Sequence, residues 1–261
     1  MGVRKEAGTL GAGDTAALQQ AFARAYQIRD ERGYAYFAGL HGLPLPSYCA
    51  HNTRLFLPWH RAYLYFFERA LQDLVPAANL TWWDWTTGRS RTEGLPAAFR
   101  RSAARVNSNP LAAGPVPLSA EDLRRLRADP ANRGALSAGP APWTLRDPDD
   151  PAELPRAATI ARALAAPTFD DLSTLLEGVH SSVHGWVGGA MTLISVAAYD
   201  PVFWAHHAMI DRIWSLWQNA GRGAPLPPEL LGRPLPPFPV TVRDMLDPAR
   251  LGYGYAVEVA G

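Results

Sequence analysis

Apolar residues recur at helical spacing in four stretches of the chain. Between Thr15 and about Arg32, Leu18, Phe22, Ala25 and Ile28 mark one face, with Asp14 placed to cap it. From Pro58 to Leu74, His60, Leu64, Phe67, Leu71 and Leu74 recur every three or four residues, and proline suits a first turn. Leu172, Leu176, Val179 and Val183 predict a helix over Asp170–His184, with Gly185, Gly188 and Gly189 following as breakers. Over Pro201–Asn219, Asp200 caps, Gly221 closes, and Phe203, His207, Ile210, Trp214 and Trp217 line one stripe. A shorter helix, Ser119–Ala128, opens on the capping pattern Ser119-Ala-Glu-Asp122, the one clear element between Thr87 and Ala166. The proline-rich stretch Ala224–Val240 reads as an extended wrap over the surface. The expected fold is mainly α, with long irregular loops and little β.

A chain of 261 residues that is 48% hydrophobic can bury one large core, so a single domain spanning 1–261 is expected. With 25 basic and 24 acidic residues, no broad field for nucleic acid or acidic lipid is implied. The single cysteine, Cys49, rules out an internal disulfide framework. Residues Met1–Glu6 lead into a glycine-rich turn with no apolar signal core, and no run approaches the roughly 18 apolar residues of a membrane span. A cytoplasmic protein is expected, or one exported without a visible signal.

Histidine usage points to chemistry. Six of the seven histidines fall in two groups, His41, His51 and His60, then His180, His184 and His207, with His206 left over. His60 and His207 share the buried faces of their helices, and His180 and His184 stand one turn apart, about 5 to 6 Å between Cβ atoms. An imidazole buried without a partner is costly, and three neutral imidazoles leave a metal with open positions. Metal binding therefore outweighs the reading as ordinary core histidines. Zinc is the default metal for His-x-x-x-His, but no glutamate lies inside the motif and no carboxylate completes either set, which favours copper or iron.

Three segments carry a resemblance. Cys49-Ala-His51-Asn52 with Phe56-Leu-Pro-Trp-His60-Arg61, His180-Ser-Ser-Val-His184-Gly-Trp, and Asp200-Pro-Val-Phe203-Trp-Ala-His206-His207 with Asp211-Arg212 resemble the two copper-binding regions of the tyrosinase, catechol oxidase and molluscan haemocyanin family. The likeness runs from Val3-Arg4-Lys5 to Tyr253-Gly-Tyr255 and is weakest between Arg89 and Thr168. It implies a four-helix bundle enclosing two copper ions, one on His41, His51 and His60, the other on His180, His184 and His207. His206 would sit beside the substrate rather than on metal, Phe56 and Phe203 would pack the imidazoles, and Asp211 with Arg212 would form a structural pair. The implied enzyme is a copper oxidoreductase using O2 to oxidise phenols and o-diphenols to o-quinones, and the alternative is a reversible O2 carrier.

Further expectations follow from that family. Cys49, two residues before His51, is placed to form a thioether with its ring. Glu177 shares the helix face of His180 and is a candidate to order a water that accepts the phenol proton. Ser181 stands where many bacterial tyrosinases carry asparagine, which puts strong monophenol hydroxylation in doubt. Gly185 and Ile194 would leave an apolar, moderately open entrance that admits bulky phenols, including o-aminophenols. No carboxyl-terminal shielding domain is expected, and a separate copper-delivery partner is compatible with the family. Oligomeric state is not specified by the sequence.

Overall fold

A computed structural model describes residues 2–44, 46–101, 109–221 and 226–256. Among them the elements run β1 (Gly2–Arg4), α1 (Ala12–Ala25), α2 (Tyr34–His41), α3 (Phe56–Leu74), α4 (Ser90–Glu93), α5 (Ala120–Ala128), α6 (Ala157–Leu164), α7 (Phe169–Val187), α8 (Pro201–Asn219), α9 (Pro228–Leu231) and β2 (Tyr253–Tyr255). The architecture is mainly α. The one sheet among the described residues is the parallel pair β1 and β2, with Val3 opposite Gly254.

Every helix expected from periodicity is present, but several ends differ. α1 starts at its cap Gly11, and Asp14 lies inside the first turn paired with Lys5 rather than capping. The helix stops at Ala25, so Ile28 is outside it. The chain then makes a tight return at Gly33, where a Cβ would lie 2.2 Å from the Ile28 carbonyl oxygen. Directly after this glycine comes α2, which the pattern did not mark. Tyr34, Phe37, Ala38 and Leu40 are all buried there, so no polar face gives it a stripe.

α3 begins at Phe56, with Pro58 in its first turn, where a missing N–H costs no helical bond. α5 is capped as expected, the Ser119 hydroxyl accepting from the Asp122 amide at 3.0 Å. On α8 the Asp200 carboxylate accepts from Val202 N at 3.0 Å. α7 does not break at Gly185. It continues to Val187, because Trp186 and Val187 are buried and hold the last turn. Gly188, at φ +66°, ends it. The 87–166 region also holds α4 and α6, beyond the single helix expected there. α6 packs on α7 and α8 through Ile160 and Ala163.

Helices α3, α7 and α8 pack on one another and, with α2, surround a central site, while α1 lies against α3 as scaffold. The bundle's fourth wall is thus the short α2. Residues 224–225 of the proline-rich stretch lie outside the described residues. The rest crosses α3 as a wrap, apart from the short α9: Trp59 Nε1 donates to the Pro236 carbonyl at 2.8 Å, and Phe238 stacks on Phe66.

Asp211 forms a different structural pair from the expected one. Its carboxylate is held by Arg4 at 3.2 Å and Arg61 at 2.5 Å, and accepts from the Tyr253 and Tyr255 hydroxyls at 2.7 and 2.5 Å. Arg4 also grips Glu68 of α3 at 2.8 Å and lies over the Tyr253 ring. Arg212 instead places its guanidinium over Trp82. One fully buried ionic cluster therefore ties β1 and β2 to α3 and α8. Burial pushes the Asp211 carboxyl upward, but Arg61, Arg4 and the Tyr255 hydroxyl outweigh it and hold it below the usual carboxylate range. Among the described residues, no helix is long and apolar enough to cross a membrane.

Candidate metal centre

His41 is the last residue of α2, His51 lies in the loop before α3, and His60 is in the first turns of α3. His180 and His184 stand on α7 and His207 on α8. Every one except His51 is buried, and His51 is half-buried. The two groups face each other: the His60 and His207 rings stack at 4.5 Å between centroids, and His51 lies 5.6 Å from His180. Phe56 fills the gap beside His60 and His180 at 4.8 and 5.0 Å, and Phe203 that beside His41 and His207 at 4.8 and 4.1 Å.

Backbone carbonyls fix the imidazoles. Nδ1 of His41 donates to Ile194 O at 3.1 Å, that of His60 to Phe56 O at 2.8 Å, and that of His184 to Met191 O at 2.7 Å. Each such bond places the proton on Nδ1 and leaves Nε2 as a lone-pair donor. Gly42 permits one of them: a Cβ there would lie 2.5 Å from the Ser195 backbone, so only glycine lets the loop carrying Ile194 come this close.

Nε2 of His41, His51 and His60 is buried with no hydrogen-bond partner. In the second group Nε2 of His207 lies 3.2 Å from that of His180 and 3.3 Å from that of His184. Three lone pairs meeting at such distances repel unless a cation lies between them. An ion bound tetrahedrally at about 2.0–2.1 Å spaces its donors by about 3.3 Å, so the spacing fits a metal. The ring nitrogens of His41, His51 and His60 come within 4.8 Å of one another, and so do those of His180, His184 and His207 together with one from His206.

Burial holds these rings neutral, as metal ligation needs. It depresses His41 to about 3, with the neighbouring His51 adding to it, and His184 to about 4. His60, His180 and His207 lie well below the ordinary range, from burial first and neighbouring imidazoles second. In the metal-free protein the unfolded state therefore binds more protons than the folded one between these values and about 6.5. Stability is complete above that window and is lost as pH falls through it. For His41 and His184 the expected loss between pH 6.5 and 5 is about 2 kcal/mol each, measurable by denaturant unfolding of the apoprotein at pH 7 and 5.

His206 lies beside the second group, with a ring nitrogen within 4.8 Å of those of His180, His184 and His207. It is fully buried, stacks on His180 at 5.3 Å and 15°, faces Trp85, and does not line the cavity beside the histidines. Neither of its ring nitrogens makes a hydrogen bond of ordinary geometry.

That cavity, of about 300 Å³, reaches both groups through His41, His51, His180 and His184. Glu177, Ser181, Gly185 and Ile194 all line it, and Ile194 is 55% exposed at its mouth. Met191, Thr192 and Ala197 complete the wall opposite α7. Asn52, which the pattern did not single out, stands at φ +55° and donates its amide to Glu177 Oε1 at 2.5 Å. Burial raises the Glu177 carboxyl, and that amide draws it back. Leu176, one residue upstream, is wholly buried and does not line this cavity. The Ser181 hydroxyl donates to the Glu177 carbonyl at 3.0 Å, along its own helix.

Residues 31–220 match the family model described as the common central domain of tyrosinase. The chain belongs to the tyrosinase family. It is 36% identical to the tyrosinase of Streptomyces antibioticus over 196 residues, covering 68% of this chain and 67% of that one. It is 29% identical to a G-type haemocyanin of Enteroctopus dofleini over 235 residues, covering 83% of this chain and 8% of that protein. A solved functional unit of octopus haemocyanin superposes with a TM-score of 0.78 at 26% identity, covering 98% of this chain and 68% of that one. The chain is thus a copper-dependent oxidoreductase of this family, and its two histidine groups fit the two copper sites. Haemocyanin kinship is part of the same family.

Proposed function

We propose that the chain oxidises o-diphenols to o-quinones with O2, with His41, His51 and His60 holding one copper ion and His180, His184 and His207 the other. The carrying observation is the cavity that reaches imidazoles of both groups and opens beside the exposed Ile194. Two copper ions held by these imidazoles would supply a redox route from the diphenol to O2. Each diphenol gives up two electrons and two protons, so two diphenols reduce one O2 to two waters. Ile194, Met191 and Ala197 offer the ring an apolar seat, and Gly185 leaves room for bulky phenols such as o-aminophenols. Glu177, fixed by Asn52, orders a water that takes the phenol proton. With the Ser181 hydroxyl turned to its own helix, monophenol hydroxylation is the weaker activity.

The test is quinone absorbance from catechol and O2 on the copper-loaded protein, then from a monophenol freed of catechol. Rapid catechol turnover with a long monophenol lag is expected. Two bound copper ions without any quinone would favour the second reading, reversible O2 carriage, which the superposition on the octopus haemocyanin unit supports.

A thioether between Cys49 and His51 belongs to the same proposal. Cys49 Sγ lies 3.6 Å from His51 Nδ1, beside the ring carbon that would be bonded. The thiol and that carbon each lose a hydrogen, and the two electrons and two protons pass to O2. The bond would fix a ring carried by a loop, where no backbone carbonyl orients it. Intact mass of denatured protein is expected about 2 Da below the unmodified value, and a titratable thiol contradicts it.

A further inference from the structure

We infer that Glu177 selects substrates by charge, favouring diphenols whose side chain ends in a protonated amine over those ending in a carboxylate. The inference rests on the phenol-oxidising reading of the cavity. Apart from histidines, Glu177 is the only ionisable side chain among the described residues that line it. Among the described residues its one hydrogen bond is to the Asn52 amide, and no lysine or arginine pairs with it.

A groove of about 560 Å³ continues from the cavity and shares Asn52, Glu177 and Ser181 with it. The groove holds one cation, Arg54, which is bound by both Asp170 and Glu229. Three carboxylates thus stand against one guanidinium. A diphenol entering with its hydroxyls toward the histidines carries its tail outward, past Glu177 and into this groove. There a tail ammonium gains the Glu177 carboxylate, whereas a tail carboxylate meets like charge with no free cation among the described residues to receive it. Glu177 is only half-buried, so the preference is moderate and weakens with salt.

The copper-loaded protein decides the matter through kcat/KM at pH 7 and low salt for three catechols. One carries a 2-aminoethyl tail, one a propionate tail and one a methyl group. The wild-type protein is expected to prefer the amine over the propionate by about tenfold, the scale of one charge pair at a partly exposed site. Glu177→Gln keeps the acceptor for Asn52 and should lower that ratio about fivefold, chiefly through KM. Arg54→Gln, outside the catalytic machinery, should raise it. An unchanged ratio in Glu177→Gln, or equal use of all three catechols by the wild type, overturns the selection alone. Failure to oxidise the methyl catechol overturns the reading of the site, and the selection with it.

Discussion

Replacing His207 by Phe is expected to leave one copper ion per chain and to lower catechol oxidation about a thousandfold or more. Its Nε2 sits within 3.3 Å of both His180 and His184, and its ring stacks on His60 of the opposite group. Its loss removes one of three donors and opens the contact between the two groups. His206→Leu is the informative companion. Adjacent helical residues point about 100° apart, and His206 turns toward His180 and Trp85 rather than the cavity. That variant should keep two copper ions by metal analysis. Should His206→Leu lose an ion while His207→Phe keeps both, the ligand assignment is reversed.

The second large effect is on stability. Asp211→Ala is expected to destabilise the fold by about 3–5 kcal/mol, because it strands two buried arginines without their shared carboxylate. Arg4 would retain Glu68, but Arg61 would keep only neutral partners: Gln218, Ser215 and the carbonyls of Met245 and Leu246. Denaturant unfolding of the apoprotein measures this directly. Asp211 also follows His207 by one turn of α8, so copper affinity should fall with stability. A loss below about 1 kcal/mol would show that the tyrosines and carbonyls alone support the two guanidinium groups.

Much of this architecture is legible in the sequence, for identifiable reasons. α7 buries one face beside an exposed one, α3 and α8 show apolar stripes although most of their sides are buried, and caps such as Ser119 and Asp200 bond as their residue types require. The six grouped histidines stand out because imidazole is rare elsewhere in the chain. What was not legible depends on contacts between distant segments. α2 is apolar nearly all round and shows no stripe, so the helix ending at His41 was missed. The carbonyls of Ile194 and Met191, which orient two imidazoles, belong to the backbone and carry no side-chain signal. Asp211 finds Arg4, 207 residues away, rather than its neighbour Arg212. Gly185 looked like a stop, yet the burial of Trp186 and Val187 carries α7 past it.

The central claim is that the two histidine groups act as one dicopper centre. It is tested by adding copper stepwise to the apoprotein and following catechol oxidation against bound metal. Activity should stay near zero in half-filled chains, rise only as both groups fill, and level off at two ions per chain. Activity that rises in proportion to the first ion and is complete at one per chain would contradict the account.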